Sequence, residues 1–465
     1  MNVNVKVDFS KQTGKQVMPL HGFNSGPMTK VFTYDARPLF VEGGFPLVRL
    51  HDCEYPYGSG EFIDIPCIFK NFDADENDPA SYNFGNTDEY IRQCLNVGSK
   101  ILYRLGVSIE HSPAKRYVDP PKDFGKWARI CEHIIRHYNE GWANGYHWNL
   151  EYWEIWNEAD LDRDSDNKRC WGGTVEEFAE LYTVAARHLK ACFPHLKIGG
   201  CGFASVRNTF VESFLADISK RTPRVPMDFY SWHRYKGEVA AFAEGAAIVR
   251  NLLTEYGYGE VESILDEWNL VYSWDFKGQA ESYRAMKDER GASFYAGVLC
   301  VLQEQSDVCA ATNFEADVVK EFCGIFNVKN MCIGGLLANE GRGRFAELEP
   351  TKGFYAFKSF NSLYRMQNSV ALTSDSTALF ATAAAGNGGN GVLLSNPGDE
   401  ATEVALSLAG VQGEIVVRVT DAVRTNEVVL RLQASKEMSL TLPMAPHSLA
   451  YIGTDLPDPV ANYSA

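Results

Sequence analysis

Two acidic residues sit in segments built to position them. In EYWEIWNEAD, residues 151–160, Trp153 and Ile155 mark a buried strand that runs out into Asn157 and Glu158. In ESILDEWNL, residues 262–270, Ile264, Leu265 and Trp268 mark another, which ends in Glu267. A carboxyl group walled by Trp153 and Trp156 is poorly solvated, and that raises its pKa toward the ~6 suited to a general acid. Two acids at the ends of parallel strands can face each other across the mouth of a barrel. Glycoside hydrolysis needs that arrangement, with one acid protonating the leaving oxygen and the other attacking the anomeric carbon. Strand alternation places Asp266 on the face opposite Glu267, and Glu262 at the strand's start, the far end of a barrel. On its segment alone, Glu158 serves equally well as a cap for the next turn or as an arginine's partner.

Other candidate motifs carry less. GNGGNG at 386–391 fits Gly-x-Gly-x-x-Gly, but no helix follows, so it reads as a hairpin loop. The acidic runs from Asp73 and Asp162 lack the Gly and Glu of a calcium loop. His133 and His137 are spaced i, i+4 without the Glu or third ligand of a zinc site. No nucleophile-elbow serine or Walker lysine occurs. The expectation is no cofactor and no metal.

The elements around these acids alternate. Strand candidates are Met18–Phe23, Pro46–His51, Lys100–Leu105, Leu150–Trp156, Lys197–Gly200, Met227–Trp232, Ser263–Asp266 and Ala310–Phe314. Between them lie helical patterns. Trp127, Ile130, Ile134 and Tyr138 share one face, as do Phe178, Leu181, Ala185 and Leu189, behind a Thr174/Glu177 capping box. Eight strands, most followed by a helix, predict an α/β fold, a closed (β/α)₈ TIM barrel. After about residue 370, short strand-like runs separated by Gly, Asn and Asp predict an antiparallel β-sandwich, which NVNVKVDFS at the N-terminus could join. The expected boundaries are 16–366 for the barrel, with 1–15 and 367–465 for the sandwich.

The Trp-x-Ile-Trp-Asn-Glu run, the Asp-Glu-Trp-Asn run, DFYSWHRY at 228–235 and KGFYAFKSFNSLYRM at 352–366 together resemble glycoside hydrolase family 39. That family holds β-xylosidases and α-L-iduronidases among the retaining (β/α)₈ glycosidases. The resemblance implies Glu158 as acid/base and Glu267 as nucleophile. It implies that Asn157 holds the sugar 2-hydroxyl, that Arg49 in FPLVRLHD keeps the nucleophile ionised, and that His51 binds the glycone. His233 and Tyr235 match residues at the end of strand six, with Tyr235 donating to Glu267. Glu315, in CAATNFEAD, matches a sugar-binding acid after strand eight. Each histidine could instead be a satisfied core residue, and Arg49 could merely neutralise buried acid. Trp232, Trp268 and Trp274 are candidates to stack on sugar faces.

The resemblance implies a retaining exo-glycosidase of double-displacement type, with β-D-xylose the leading glycone. An α-L-iduronide would need fixed cations for its carboxylate. Tyr235, Glu315 and the net charge of −16 argue against it, although Arg234, Lys236, Arg342 and Arg344 could lie near the pocket. The insert from Asp52 to Thr87 carries Tyr55, Tyr57 and Phe62 and could reshape the glycone site, so an arabinoside or β-galactoside stays open. A non-hydrolytic carbohydrate-binding barrel is the alternative of another class, but a binder has no need of opposed carboxylates.

Composition sets the remaining expectations. With 44 Lys+Arg against 60 Asp+Glu, and no basic run, a nucleic-acid partner is not expected. The expected partner is an oligosaccharide or glycoside, and a homo-oligomer is compatible with the sequence. Eleven scattered cysteines, without a signal-like or membrane-spanning stretch, predict a cytoplasmic protein.

Overall fold

The computed structural model describes residues 2–27, 29–30, 34–51, 62–314, 325–331 and 346–459. Eight parallel strands close into a barrel in sequence order: β1 (Gly22–Asn24), β2 (Leu47–Leu50), β3 (Lys100–Leu105), β4 (Tyr152–Ile155), β5 (Lys197–Phe203), β6 (Phe229–Lys236), β7 (Glu262–Leu270) and β8 (Val308–Asn313), with β8 pairing back onto β1. The helices form where the period of the apolar residues requires them. Phe124–Glu140 buries Trp127, Ile130, Ile134 and Tyr138, and Asp123 accepts from the Lys126 N–H as its N-cap. Val175–Cys192 opens with the Thr174/Glu177 capping box and buries Phe178, Leu181, Ala185 and Leu189.

Several strand boundaries depart from expectation, among them β5, which runs on from Gly200 to Phe203. The first strand begins at Gly22 rather than Met18, because Pro19 has no N–H for the ladder; the Met18 N–H instead donates to Gln303 Oε1 at 2.9 Å. Strands β6 and β7 are longer than expected. They pair with each other as far as Lys236 and Leu270, so Tyr235 and Glu267 lie within strands rather than beyond them.

Inside the barrel the chemistry changes with height. Leu47, Leu102, Phe229, Ile264 and Ala310, with Tyr152, form an apolar plug near the N-terminal ends of the strands. Above the plug the inward side chains are ionic. This division puts the polar end of the barrel at the C-terminal ends of the strands, where loops can shape a pocket.

A second domain of nine strands, mostly antiparallel, follows the barrel. The N-terminal strand Asn2–Gln16 joins it, antiparallel to Asn368–Ser374 and parallel to Thr402–Ala409. Strand Gly389–Asn396 is buried on both faces: Leu393 joins the barrel core, while Val392 and Leu394 join Val3, Val5, Val404 and Leu406 in the domain's own core. The GNGGNG segment is the expected hairpin, turning at Asn387 (φ 47°) and Gly388 (φ 78°). Among the described residues no helix is long and apolar enough to cross a membrane.

Candidate active site

Arg49 is the hub of the polar layer. It lies on β2, fully buried. Its Nε donates to Glu154 Oε2 at 2.8 Å, its Nη1 to Asn24 Oδ1 and Glu267 Oε2 at 3.0 Å each, and its Nη2 to Asn157 Oδ1 at 2.8 Å. Asp266 Oδ2 also lies 2.8 Å from Nε. One guanidinium therefore faces three carboxylates from β4 and β7. That multiplicity is what can hold several buried acids in one place.

Asp266 corrects the strand-alternation argument. It does not point away from Glu267; both side chains reach Arg49 inside the barrel. The cause is a β-bulge: Leu265 pairs with Trp232 and Glu267 with His233, so two steps on β7 oppose one on β6. The unmatched residue breaks the two-residue alternation and turns both acids inward.

Glu158 sits past the end of β4, in a turn where Trp156 (φ 75°) and Glu158 (φ 46°) adopt left-handed backbone. The Glu158 N–H donates to the Gly202 carbonyl at 2.9 Å, and Asp160 anchors the same loop by accepting from the N–H groups of Ala204 and Ser205. Trp153 and Trp156 do not wall the carboxyl as expected. Trp153 stacks on Tyr103, and Trp156 packs between Trp127 and Trp171 in the layer under the helices. The neighbour of Glu158 is His233, whose Nδ1 lies 2.9 Å from Oε1.

Glu267 accepts from the Tyr235 hydroxyl at 2.5 Å and from Arg49, with His51 Nε2 3.5 Å and His233 Nε2 3.6 Å from its Oε2. Burial pushes its pKa up to about 7, and the charge of Glu158 adds to that; His233, Arg49 and the Tyr235 hydroxyl pull the other way. Arg49 acts on Glu267 in the direction the resemblance implies, favouring the carboxylate, but burial opposes it. His233 is held well above its ordinary value: burial opposes its charge, but Glu267 and Asp266 outweigh burial.

A carboxylate oxygen of Glu158, one of Glu267 and a ring nitrogen of His233 all lie within 4.8 Å of one another. These three groups could also hold a cation, although Arg49 already supplies positive charge to Glu267 there. A second group, Glu132 with His188 and Cys192, lies on two outer helices, where Arg136 also pairs with Glu132.

The structure thus brings together Arg49, His51, Asn157, Glu158, His233, Tyr235 and Glu267. Glu315, Tyr55, Tyr57, Arg342 and Arg344 lie outside the described residues. Trp232 and Trp268 are fully buried and offer no sugar-facing surface, whereas Trp274 is exposed and meets Tyr235 edge-on at 5.3 Å between centroids. Arg234 faces the outer helix, with its Nε beside Gly245, and Lys236 is exposed.

Four site residues escape the sequence reading altogether: Asn24, Glu154, Gly202 and Ser231. Two left a signal. Glu154 is a charge in the middle of an apolar strand, and Gly202 lies near the end of the glycine-rich strand KIGGCGF, a composition that marks close backbone approach.

Residues 45–311, more than half of the chain, match the family model for Glycosyl hydrolases family 39. The chain belongs to this family. It is 27% identical over 192 residues to a beta-xylosidase of Geobacillus stearothermophilus, covering 39% of this chain and 36% of that protein. It is 26% identical over 211 residues to a beta-xylosidase of Caldicellulosiruptor saccharolyticus, covering 43% of this chain and 38% of that protein. The matched segments therefore span little more than a third of either relative. The crystal structure of a glucosidase from Croceicoccus marinus superposes with a TM-score of 0.76 at 22% identity, covering 97% of this chain and 99% of that one. The shared fold therefore includes the second domain of the family 39 chain.

Proposed function

We propose that the protein is a retaining, exo-acting glycoside hydrolase, with a terminal β-D-xyloside as its leading substrate. The observation that carries this reading is the pair of opposed carboxyl groups, Glu158 and Glu267, with oxygens within 4.8 Å of each other. Retaining enzymes hold their carboxyls about 5–5.5 Å apart, and inverting enzymes about 6.5–9.5 Å apart to admit a water.

Each group has the surroundings its role requires. Glu267 Oε2 attacks the anomeric carbon while Glu158 gives its proton to the glycosidic oxygen; the C–O bond breaks and the aglycone leaves as an alcohol. Glu158, now a carboxylate, takes a proton from water as that water attacks the anomeric carbon, and Glu267 departs with the bonding pair. Glu158 Oε2 has no hydrogen-bond partner among the described residues, which leaves it for the glycosidic oxygen. Asn157 is gripped by Arg49 through Oδ1 while its buried Nδ2 has no partner among the described residues, a donor available to a sugar hydroxyl.

The two relatives named beta-xylosidase support the choice of glycone. The eight described cysteines, all free thiols, fit a reducing, cytoplasmic setting. The test is a panel of nitrophenyl glycosides (β-xyloside, β-glucoside, β-galactoside, α-L-arabinofuranoside, α-L-iduronide), with product stereochemistry followed by NMR. Glu267→Gln and Glu158→Gln are run beside the wild type. Retention on one sugar, with loss in Glu267→Gln, supports the reading. Inversion sinks it, as does a folded enzyme silent across the panel that a 2-fluoro glycoside fails to label.

A further inference from the structure

Beneath the two facing acids lie two more carboxyl groups, Glu154 and Asp266, both sealed from solvent. Arg49 Nε is 2.8 Å from an oxygen of each. It carries a single N–H, and that N–H goes to Glu154. Glu154 Oε1 is also served by Ser231 Oγ at 2.5 Å, and Ser231 takes the Gly202 N–H at 2.7 Å. Asp266 is supplied less well: no donor among the described residues makes a hydrogen bond to either oxygen, and His233 Nε2 stands 3.7 Å from Oδ1. A buried carboxylate with no donor in hydrogen-bonding geometry is costly enough to require an explanation.

Charge counting leads to the same place. Around Arg49 and His233 lie four carboxyl groups (Glu154, Glu158, Asp266 and Glu267) against one guanidinium and one imidazole. A fifth, the buried Asp160 near Glu158, is served separately by the N–H groups of Ala204 and Ser205 and by Asn208 Nδ2. With His233 cationic, a proton on Glu158 for its acid role and Glu267 ionised as the nucleophile, one negative charge remains uncompensated in this cluster. One more proton balances it.

We infer that Glu154 and Asp266 hold that proton between them, with Glu154 a neutral acid donating to Asp266, and that the pair positions the two facing carboxyls. The inference rests on the glycosidase reading for the roles of Glu158 and Glu267. The neutral Glu154 supplies Asp266 with its missing donor and leaves it the sole full charge of the pair. Asp266 Oδ1 then faces His233 Nε2 at 3.7 Å, and His233 Nδ1 faces Glu158 Oε1 at 2.9 Å. Glu154, Asp266, His233 and Glu158 form a line from the barrel interior to the acid/base. Titration preferences agree with this placement. Burial, with the charge of Asp266 adding to it, pushes Glu154 up to about 8 despite Arg49. Against the upward push of burial, Arg49 and His233 hold Asp266 down to about 2.

The groups facing Glu154 are Arg49 from β2, Ser231 from β6, Asp266 from β7, and the Cys201 thiol from β5, which burial keeps neutral. Arg104 on β3 is the register partner of Glu154, but its Nη2 goes to Asp64 at 2.6 Å.

The test uses a neutral isostere. Glu154→Gln removes no charge if Glu154 is already protonated, so the acidic limb of kcat/KM, which reports Glu267, stays within about 0.3 pH unit of the wild type. Asp266→Asn removes a full negative charge beside Arg49 and His233, and the acidic limb moves down by about one unit or more. A Glu154→Gln limb that falls as far as that of Asp266→Asn overturns the inference. Infrared difference spectra provide a readout free of activity and of the folding of Asp266→Asn. Wild type minus Glu154→Gln at pH 7 should show the C=O band of a protonated carboxylic acid, whereas a carboxylate band in its place refutes the shared proton. A chain inactive on every glycoside sinks the hydrolase reading, and the difference spectrum then still decides the pair.

Discussion

Gly202→Ala tests how tightly the polar layer is assembled. A Cβ on Gly202 would meet Arg49 Nη2 at 2.9 Å and Glu154 Oε1 and His233 Nε2 at 3.2 Å each. All three neighbours are buried, and Arg49 is tied to several groups, so none can swing into solvent. Gly202 also sits at φ 56°, where alanine costs about 1 kcal/mol of backbone strain relative to glycine. Overpacking adds about 1–3 kcal/mol, so the expected loss of stability is roughly 2–4 kcal/mol. Activity should fall further than stability implies. A displacement approaching 1 Å in a catalytic array costs on the order of 100-fold, so kcat/KM should drop at least about tenfold. Gly257→Ala is the internal control: its φ is 78° and a Cβ added there would meet no atom within 4 Å, so it carries the strain without the clash. Denaturant unfolding and kcat/KM on the best glycoside are measured for both variants. If the two behave alike in stability and in rate, the close-packing argument is wrong.

Two further expectations concern Glu267. Tyr235→Phe removes a donor to its charged form, so the Glu267 pKa rises further and the acidic limb of kcat/KM moves to higher pH; an unmoved limb in a folded variant would show that the hydroxyl does not stabilise the carboxylate. Glu267 also has a folded-state pKa of about 7 against an ordinary 4.5, so its contribution to stability is fully present below about pH 4.5 and is lost as pH rises through about 7, a change of up to about 3 kcal/mol. Glutamine cannot ionise, so the melting temperature of Glu267→Gln relative to wild type should climb between pH 5 and pH 8; a constant difference refutes the raised pKa.

Local sequence made the site partly legible. The two acid-bearing strings, 151–160 and 262–270, carry their own apolar strand signals, and capping and helical period located the helices that space them. Arg49, His51, His233 and Tyr235 entered through family resemblance, and the structure brings all four to Glu158 or Glu267 or both. The error at Asp266 has a plain cause. Alternation assumes an unbroken ladder, and a bulge depends on how β7 pairs with β6, which one strand's residues do not encode. The expected tryptophan wall failed for a related reason: a left-handed turn at Trp156 sends its ring outward while Glu158 goes inward.

Periodicity, turn residues and charge placement act over a few positions. Signals of that range were enough to specify the alternation of strands and helices, the barrel, and the candidacy of Glu158 and Glu267. Which charges share a space was left to the closed fold. Arg49 meets Glu154, Asn157, Asp266 and Glu267 across 105 to 218 positions of chain, through contacts that exist only once the barrel has closed. Burial then set their protonation, because the cost of a charge depends on the solvent and partners that remain after folding rather than on the residue type.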